Sequence, residues 1–297
     1  MKMLLTGKNG QVGFELQSAL APLGDVHAVD SSDCDLADPE ALRNLIQRVK
    51  PQIIINPAAY TAVDKAEDET AMAMAVNGVA PGVMGEEAAK LGACVIHYST
   101  DYVFDGEKPQ PYVESDPTGP LGAYGQSKLA GERALQQATS RHLILRTSWV
   151  VGAHGNNFAK TILRLAAERG QLNIVSDQHG APTSAALLAQ TTATLIERMA
   201  GAGGTSSFPF GLYHLCAAGE TTWFDYARFV LDHAQRHGAR PLKATAKDVS
   251  PITSAQYPTR ARRPHNSRLD TQKFRQTFGL SLPSWQDSLT PILDQIQ

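Results

Sequence analysis

Short apolar runs alternate with amphipathic stretches through the first half of the chain. Met3-Leu4-Leu5 has the length and composition of a buried strand, and Phe14 to Leu20 places apolar residues at helical spacing. Val26-His27-Ala28-Val29-Asp30 predicts a second strand that ends in an acid, and Asp33-Cys34-Asp35-Leu36 a short third one. Asp38 caps a helix running to Val49, with Pro39 at its first position. Pro51 to Asn56 reads as a buried strand. Val63 to Leu91 reads as a long helical stretch interrupted near Gly78 to Gly82, and Ala93 to Thr100 as a further strand. Strands alternating with helices predict an α/β chain built on a doubly wound parallel sheet. Beyond residue 150 the pattern loosens. Helices are expected over Asn156–Arg169, Thr183–Met199, Thr221–His237, Asp270–Phe278 and Trp285–Ile296, and strands at Leu172–Val175 and Leu212–Leu215. Gly201 to Ser207 reads as a flexible surface loop, and Lys247 to Asn266 as irregular and rich in Pro, Ser and Thr.

Three features turn this pattern into chemistry. Gly7-x-x-Gly10-x-x-Gly13 lies between the first strand and the first helix. Glycines there permit a tight turn and close approach of backbone to a pyrophosphate, and the helix N-terminus offers free N–H groups. The expected fold is therefore a Rossmann-type doubly wound parallel sheet. Asp30 lies 17 residues after Gly13, where an acid binds the adenosine ribose hydroxyls. Ser31 and Ser32 follow, with no Arg to hold a 2′-phosphate, which favours NADH, although Lys8 partly offsets this. Finally, Tyr124 and Lys128 stand four apart in a segment expected to be helical, and so share a face. An ammonium lowers the pKa of a nearby phenol, so the pair is a proton donor and acceptor for a carbonyl or alcohol. Gly10, Asp30, Ala59 and Thr100 all fall at the carboxyl ends of strands, where ligands of such sheets bind.

Composition narrows the partners. The 297 residues are 42% hydrophobic and carry a net charge of −2, which gives no reason to expect nucleic acid or a membrane surface. No apolar run approaches the ~20 residues of a membrane helix. The opening residues are too short and glycine-interrupted for a signal peptide, and the cytoplasm is the expected compartment. Cys34, Cys94 and Cys216 read as buried small hydrophobes, and the nine histidines show no ligand spacing, so no metal site is expected.

The glycine turn, Ser99-Thr100-Asp101-Tyr102-Val103-Phe104-Asp105-Gly106 and Tyr124-x-x-x-Lys128 together resemble the extended short-chain dehydrogenase/reductases that act on nucleotide sugars. More narrowly, the chain resembles the dTDP-4-dehydrorhamnose reductase family in Asn56 to Glu67, Arg146 to Val150, Asp177 to Thr183, Tyr257-Pro258-Thr259, Arg263-Pro264 and Asn266 to Leu269. The resemblance spans essentially the whole chain. It implies reduction of a ketone at carbon 4 of a dTDP-linked deoxyhexose by NADPH or NADH. Tyr124 would be the general acid, Lys128 its partner and ribose anchor, and Thr100 the hydroxyl that positions the carbonyl. Gly7, Gly10, Gln11, Val12, Gly13, Asp30, Asp35, Leu36, Ala59, Tyr60, Thr61 and Tyr98 would line the cofactor with Tyr124 and Lys128. Asp101 and Trp149 would touch the sugar. The expected organisation is a cofactor domain over residues 1–150, to which 171–200 return, and a smaller C-terminal nucleotide-sugar-binding part over 151–170 and 201–297.

Some members of the family form dimers bridged by Mg²⁺ held by acidic side chains. Glu15 is present here, but the helix after Thr183 begins Ser184-Ala185-Ala186 without an acid. That argues against the bridge, and a monomer or weak homodimer is expected. Two rival readings are a nucleotide-sugar epimerase or dehydratase with retained NAD⁺, and a non-enzymatic subunit resembling the regulatory subunit of methionine adenosyltransferase. Tyr102 follows Asp101 where dehydratases usually carry Glu, which argues against elimination. A diphosphate needs fixed cations, and the densest free cluster is Arg260, Arg262, Arg263 and Arg268. Arg263, fixed by Pro264, or Arg268 is the expected grip.

Overall fold

The computed structural model describes residues 1–201, 207–237 and 241–296. In chain order the first half runs β1 (Lys2–Leu5), α1 (Gln11–Leu20), β2 (Asp25–Ala28), α2 (Pro39–Val49), β3 (Ile53–Asn56), α3 (Val63–Ala66), α4 (Thr70–Ala73), α5 (Ala80–Leu91), β4 (Cys94–Thr100), α6 (Ala123–Ala138) and β5 (His142–Thr147). The second half adds β6 (Val150–Val151), α7 (Phe158–Glu168), β7 (Leu172–Val175), β8 (His179–Gly180), β9 (Thr183–Ser184), α8 (Ala185–Ala200) and β10 (Gly211–His214). It closes with β11 (Thr221–Thr222), α9 (Trp223–His237), β12 (Val249–Ile252), α10 (Gln272–Phe278) and α11 (Trp285–Ile296).

Six strands pair in parallel in the order β10-β5-β4-β3-β1-β2. β1 is flanked by β2 on one side and β3 on the other, so the winding reverses beside it. The crevice above the carboxyl ends of β1 and β3 is where such folds bind ligands. Alternate residues serve opposite faces. Met3 and Leu5 pack with Leu16 and Leu20 of α1 and Leu188 and Leu195 of α8, whereas Leu4 packs with Leu42 and Ile46 of α2, Met84 of α5 and Leu135 of α6. All seven residues of β4 are buried, as a central parallel strand requires. A separate core joins α7, α9 and α11 through Ile162, Tyr226, Leu231, Trp285 and Leu289.

Several elements differ from expectation. Asp33 to Leu36 forms no strand. The amides of Asp33 and Cys34 both donate to the Asp30 carbonyl (3.1 and 3.0 Å), and the aspartates fold back on local backbone, which favours a turn. The stretch from Val63 to Leu91 breaks at Glu67 to Glu69 and carries a π-helical turn over Met74–Val79. The glycines around residue 80 serve packing instead. A Cβ on Gly82 would lie 3.0 Å from the Ala134 methyl and one on Gly85 2.7 Å from that of Ala138, so they let α5 press onto α6. Within Lys247 to Asn266, Val249–Ile252 is a strand pairing in parallel with β7. Pro251 is tolerated there because, among the described residues, the pair has no third strand to demand its missing N–H. Thr221 and Thr222 pair with β8 before the helix begins. Most of the expected loop at 201–207 lies outside the described residues. β10 joins the main sheet, while β7 leaves it, which differs from the division expected at residues 201–297 and 171–200.

Candidate active site

The glycine turn is held by contacts that admit no side chain. Gly7 has φ of 62°, and its amide oxygen accepts from Gly10 N–H at 2.9 Å. A Cβ on Gly13 would lie 2.0 Å from that oxygen, and one on Gly7 2.9 Å from the Ala58 Cα. The turn is thereby pressed against the end of β3. α1 starts at Gln11 without a side-chain cap, so its first N–H groups remain available to an anion. They border a cleft of about 540 Å³ whose lining includes Gly7, Gly10, Gln11, Val12, Gly13, Asp30, Asp35, Leu36, Ala59, Thr61, Tyr98, Tyr124 and Lys128. The uncapped helix end, the close-packed glycines of the turn and the acid at the far end fit a dinucleotide.

At the Asp30 end the polar groups already pair with one another. Asp30 accepts from the Ser32 amide (2.8 Å) and hydroxyl (2.6 Å) and from the Asn9 amide group. Those Ser32 bonds hold its carboxyl below the usual range. Lys8 pairs with Asp33 at 2.5 Å and stands 3.7 Å from Asp30.

The reacting end is built by β4 and α6. Thr100 closes β4, and its hydroxyl donates to Asp101 (3.0 Å) while accepting from Tyr102 N–H (3.2 Å). Gly125 lets α6 touch this turn, since a Cβ there would lie 2.2 Å from the Tyr102 carbonyl oxygen. Tyr124 enters from the first turn of α6. Burial pushes its phenol well above the ordinary value, and a hydrogen bond with Thr100 works the other way. Lys128, one helical turn on, is buried; its Nζ donates to the Tyr98 carbonyl at 2.6 Å and stands 3.3 Å from His97 Nε2. Burial draws Lys128 down to about 8, with Glu132 opposing. The expected lowering of the phenol by Lys128 is thus not what this arrangement produces: the amine is turned to β4, and the phenol is held in its neutral, proton-donating form. Asp101 is buried, and burial raises it to about 6 against side-chain hydrogen bonds from Ser267 and Thr100.

A second cavity, of about 890 Å³, opens beside the first and is lined by Tyr102, Phe158, Trp223, Tyr257, Arg263 and others. Tyr102 lines it while its ring meets Tyr124 edge-on at 5.5 Å, so it separates the two spaces. Trp149 adopts a left-handed φ of 48° and stacks on Trp223 at 3.6 Å. Gly180 makes room, because a Cβ there would lie 2.5 Å from the Trp149 ring. Arg263 donates to Tyr102 OH (3.0 Å) and pairs with Asp64 (2.6 Å).

Thr100, Asp101 and Trp149 stand beside the cavities without lining either, and Tyr60 and Arg268 lie elsewhere. The Tyr60 hydroxyl donates to Glu69 at 2.6 Å, and its side chain does not line the cleft, because Asn77 clamps its backbone from both sides. Arg268 bonds to Glu220, Asn266 and the Pro109 carbonyl and borders neither cavity. Sequence reasoning missed Asn9, Asn56, His97, Asp64 and Trp223. Asn9 had a signal in its place inside the glycine turn, and Asn56 and Asp64 in the Asn56 to Glu67 motif, whereas His97 and Trp223 come from segments far apart in the chain.

The family model described as the RmlD substrate binding domain matches residues 1–297. A dTDP-4-dehydrorhamnose reductase of Escherichia coli K12 is 50% identical over 301 residues, covering 100% of this chain and 98% of that protein. Among solved structures, a dTDP-4-dehydrorhamnose reductase of Clostridium acetobutylicum, an RfbD ortholog, superposes with a TM-score of 0.91 at 34% identity and covers 100% of both chains. The Bacillus anthracis reductase in complex with NADP superposes at 0.88 with 33% identity over 98% of each chain. On this full-length match, the chain belongs to the RmlD substrate binding domain family.

Proposed function

We infer that the chain reduces dTDP-4-dehydro-β-L-rhamnose to dTDP-L-rhamnose with NADPH or NADH, the last step of dTDP-rhamnose biosynthesis. The observation that carries this is Tyr124 in the lining of the glycine-turn cleft and hydrogen-bonded with Thr100, in a chain that matches reductases of this name from end to end. When bound, the cofactor supplies the hydride. Gly10, Gln11 and Val12 would receive its pyrophosphate on backbone N–H groups, Asp30 its adenosine ribose, and Lys128 its nicotinamide ribose. Tyr124 gives its phenolic proton to the substrate oxygen, and burial suits it to that role by keeping it neutral until the proton is needed. Thr100 orients the same oxygen. Asp101 and Trp149 meet the sugar, and Arg263 meets the diphosphate from the second cavity. The cofactor unit comprises residues 1–151 with α8 and β10, and the remaining C-terminal segments form the sugar-nucleotide part. The protein would act as a monomer or weak homodimer in the cytoplasm.

The test is loss of NADH or NADPH absorbance with dTDP-4-dehydrorhamnose. Wild-type protein should oxidise either cofactor only when the sugar is present. Positioned acid catalysis contributes about 10²–10⁴ in rate, so Tyr124→Phe should lose at least ~10² in kcat while binding NADH as before. No oxidation by the wild type would overturn the reading, and a variant keeping a tenth of the rate would remove Tyr124 from it.

A further inference from the structure

Behind Lys128 runs a buried chain of polar side chains that no step above uses. The Thr6 hydroxyl at the end of β1 lies 2.6 Å from Asn56 Oδ1 on β3. Asn56 Nδ2 lies 3.0 Å from His97 Nδ1 on β4. His97 Nε2 lies 3.3 Å from Lys128 Nζ on α6. Asn56 and His97 are wholly buried and Thr6 and Lys128 nearly so. Three neighbouring strands thus each give one side chain to a single line that ends on the lysine. A titratable side chain, His97, wholly buried in the middle of β4 invites an explanation, because unpaired polar groups at such depth are costly.

The hydrogen-bond inventory supplies one. A neutral imidazole donates from one nitrogen and accepts at the other. With the Asn56 amide as placed, its NH₂ donates to Nδ1, so the imidazole proton sits on Nε2 and points at Lys128, which must then be the neutral amine. With that amide turned over, its oxygen accepts from Nδ1–H, its NH₂ donates to Thr6, and Nε2 becomes an acceptor for the lysine ammonium. Which way an amide faces is settled by such networks. Both arrangements satisfy Asn56, His97 and Lys128, with the Thr6 hydroxyl donating in the first and accepting in the second. We propose that His97 is a positioning residue that holds Lys128 Nζ in one place in both of its protonation states, by exchanging tautomer as the lysine gains or loses its proton. The exchange balances across the pair: as Lys128 Nζ passes a proton to His97 Nε2, the Nδ1 proton leaves to solvent, and the Asn56 amide turns over to donate to the bare Nδ1.

The surrounding groups support this. Glu132 acts on Lys128 from α6. Arg146 on β5 is occupied by Glu132 in a two-point ion pair (2.8 and 2.6 Å). Tyr98, the next residue of β4, turns its hydroxyl to Thr192 at 2.6 Å. Thr6 and Asn56 do not titrate. Burial and the charge of Lys128 hold the imidazole well below its usual value, so it stays neutral, and the lysine is drawn down to about 8, where both of its states matter. The proposal rests on the reading of Lys128 as a cofactor and proton-site residue, but it is a statement about the cofactor-free protein and is tested there.

The experiment is nitrogen NMR of ¹⁵N-histidine-labelled, cofactor-free protein from pH 6 to 10, with ¹³C-lysine labelling to follow Lys128. The expected result is a His97 ring that never becomes imidazolium and whose proton moves from Nδ1 to Nε2 over the same range in which Lys128 titrates. His97→Leu removes both the acceptor for the charged amine and the donor to the neutral one; the first bond is charge-assisted and the stronger, so the Lys128 midpoint should shift downward. His97→Gln restores an acceptor and should return it part of the way, with the alkaline limb of the kcat profile following. His97 shifts that stay flat while Lys128 titrates, or a Lys128 midpoint identical in all three proteins, would overturn the proposal. If His97→Leu fails to fold, the wild-type tautomer measurement and the Gln variant still decide. Failure of the reductase assay with an intact tautomer exchange would instead remove the substrate reading alone.

Discussion

Asp101 is a carboxyl in the wrong surroundings for a charge, buried and held by side-chain hydrogen bonds from Ser267 and Thr100. Its pKa is raised to about 6, against about 3.9 in an unfolded chain. A raised folded value means that the group favours folding while protonated, and that this contribution is lost as pH rises through 6. Asp101→Asn should therefore raise the melting temperature of the cofactor-free protein at pH 8, by something on the order of 2 kcal/mol of stability, and do little at pH 4. Equal effects at both values, read by thermal denaturation, would contradict the assignment. The arginines give a second prediction. Arg263 faces the second cavity and Arg268 does not. A charge-assisted hydrogen bond contributes about 1.5–3 kcal/mol. Arg263→Ala should thus raise KM for the sugar nucleotide roughly tenfold or more, with NADH affinity unchanged and Arg268→Ala near wild type in steady-state kinetics. At this scale the sequence was readable where spacing fixes geometry. Tyr124 and Lys128 share a helix face whatever surrounds them, and Asp30 follows its strand. It was not readable where direction matters: Arg263 and Arg268 look alike in a run of basic residues, and only the fold turns one to the cavity and the other to Glu220.

α5 and α6 meet along a seam of small residues, and the seam sets where the reacting side chains stand. Gly78, Gly82 and Gly85 on one side face Ala130, Ala134 and Ala138 on the other. Gly131 lies between Lys128 and Glu132, and a Cβ on it would stand 2.0 Å from the Asn77 carbonyl oxygen. That atom is backbone and cannot swing away. Overpacking of this kind costs typically ~1–3 kcal/mol. Gly131→Ala should lower the melting temperature and also reduce kcat, because α6 must move with Lys128 on it. Gly170→Ala, where a Cβ meets nothing within 4 Å, should do neither in the same two measurements. The glycines were visible in the sequence as a possible break in a helix. Their actual role depends on a partner helix some fifty residues on, which local pattern does not report. The same blindness explains the missed strand at Val249–Ile252. Its pairing with Leu172–Val175 is long-range, and its proline and serine argued for a loop.

The alternation of strand and helix in the first half was enough to predict the parallel sheet, but not which later segment finishes it. β10 comes from residues 211–214 and lies on the outer side of β5, and α8 covers Leu16 and Leu20 of α1. The cofactor unit is therefore not contiguous in the chain, and this bears on how it is made. A ribosome that has released residues 1–151 has delivered every side chain that would touch the cofactor along β1 to β5, yet β5 still presents an unpaired edge and one face of the sheet lacks its covering helix. Open edges and bare apolar faces promote association between chains. A fragment ending at residue 151 should accordingly elute as aggregate in size-exclusion chromatography, and a monodisperse folded fragment would show that the edge is tolerated. For the nascent chain, the moment of safety arrives only when His214 has left the exit tunnel, well after the parts that perform chemistry, so the interval between them is when this protein most needs a chaperone's attention.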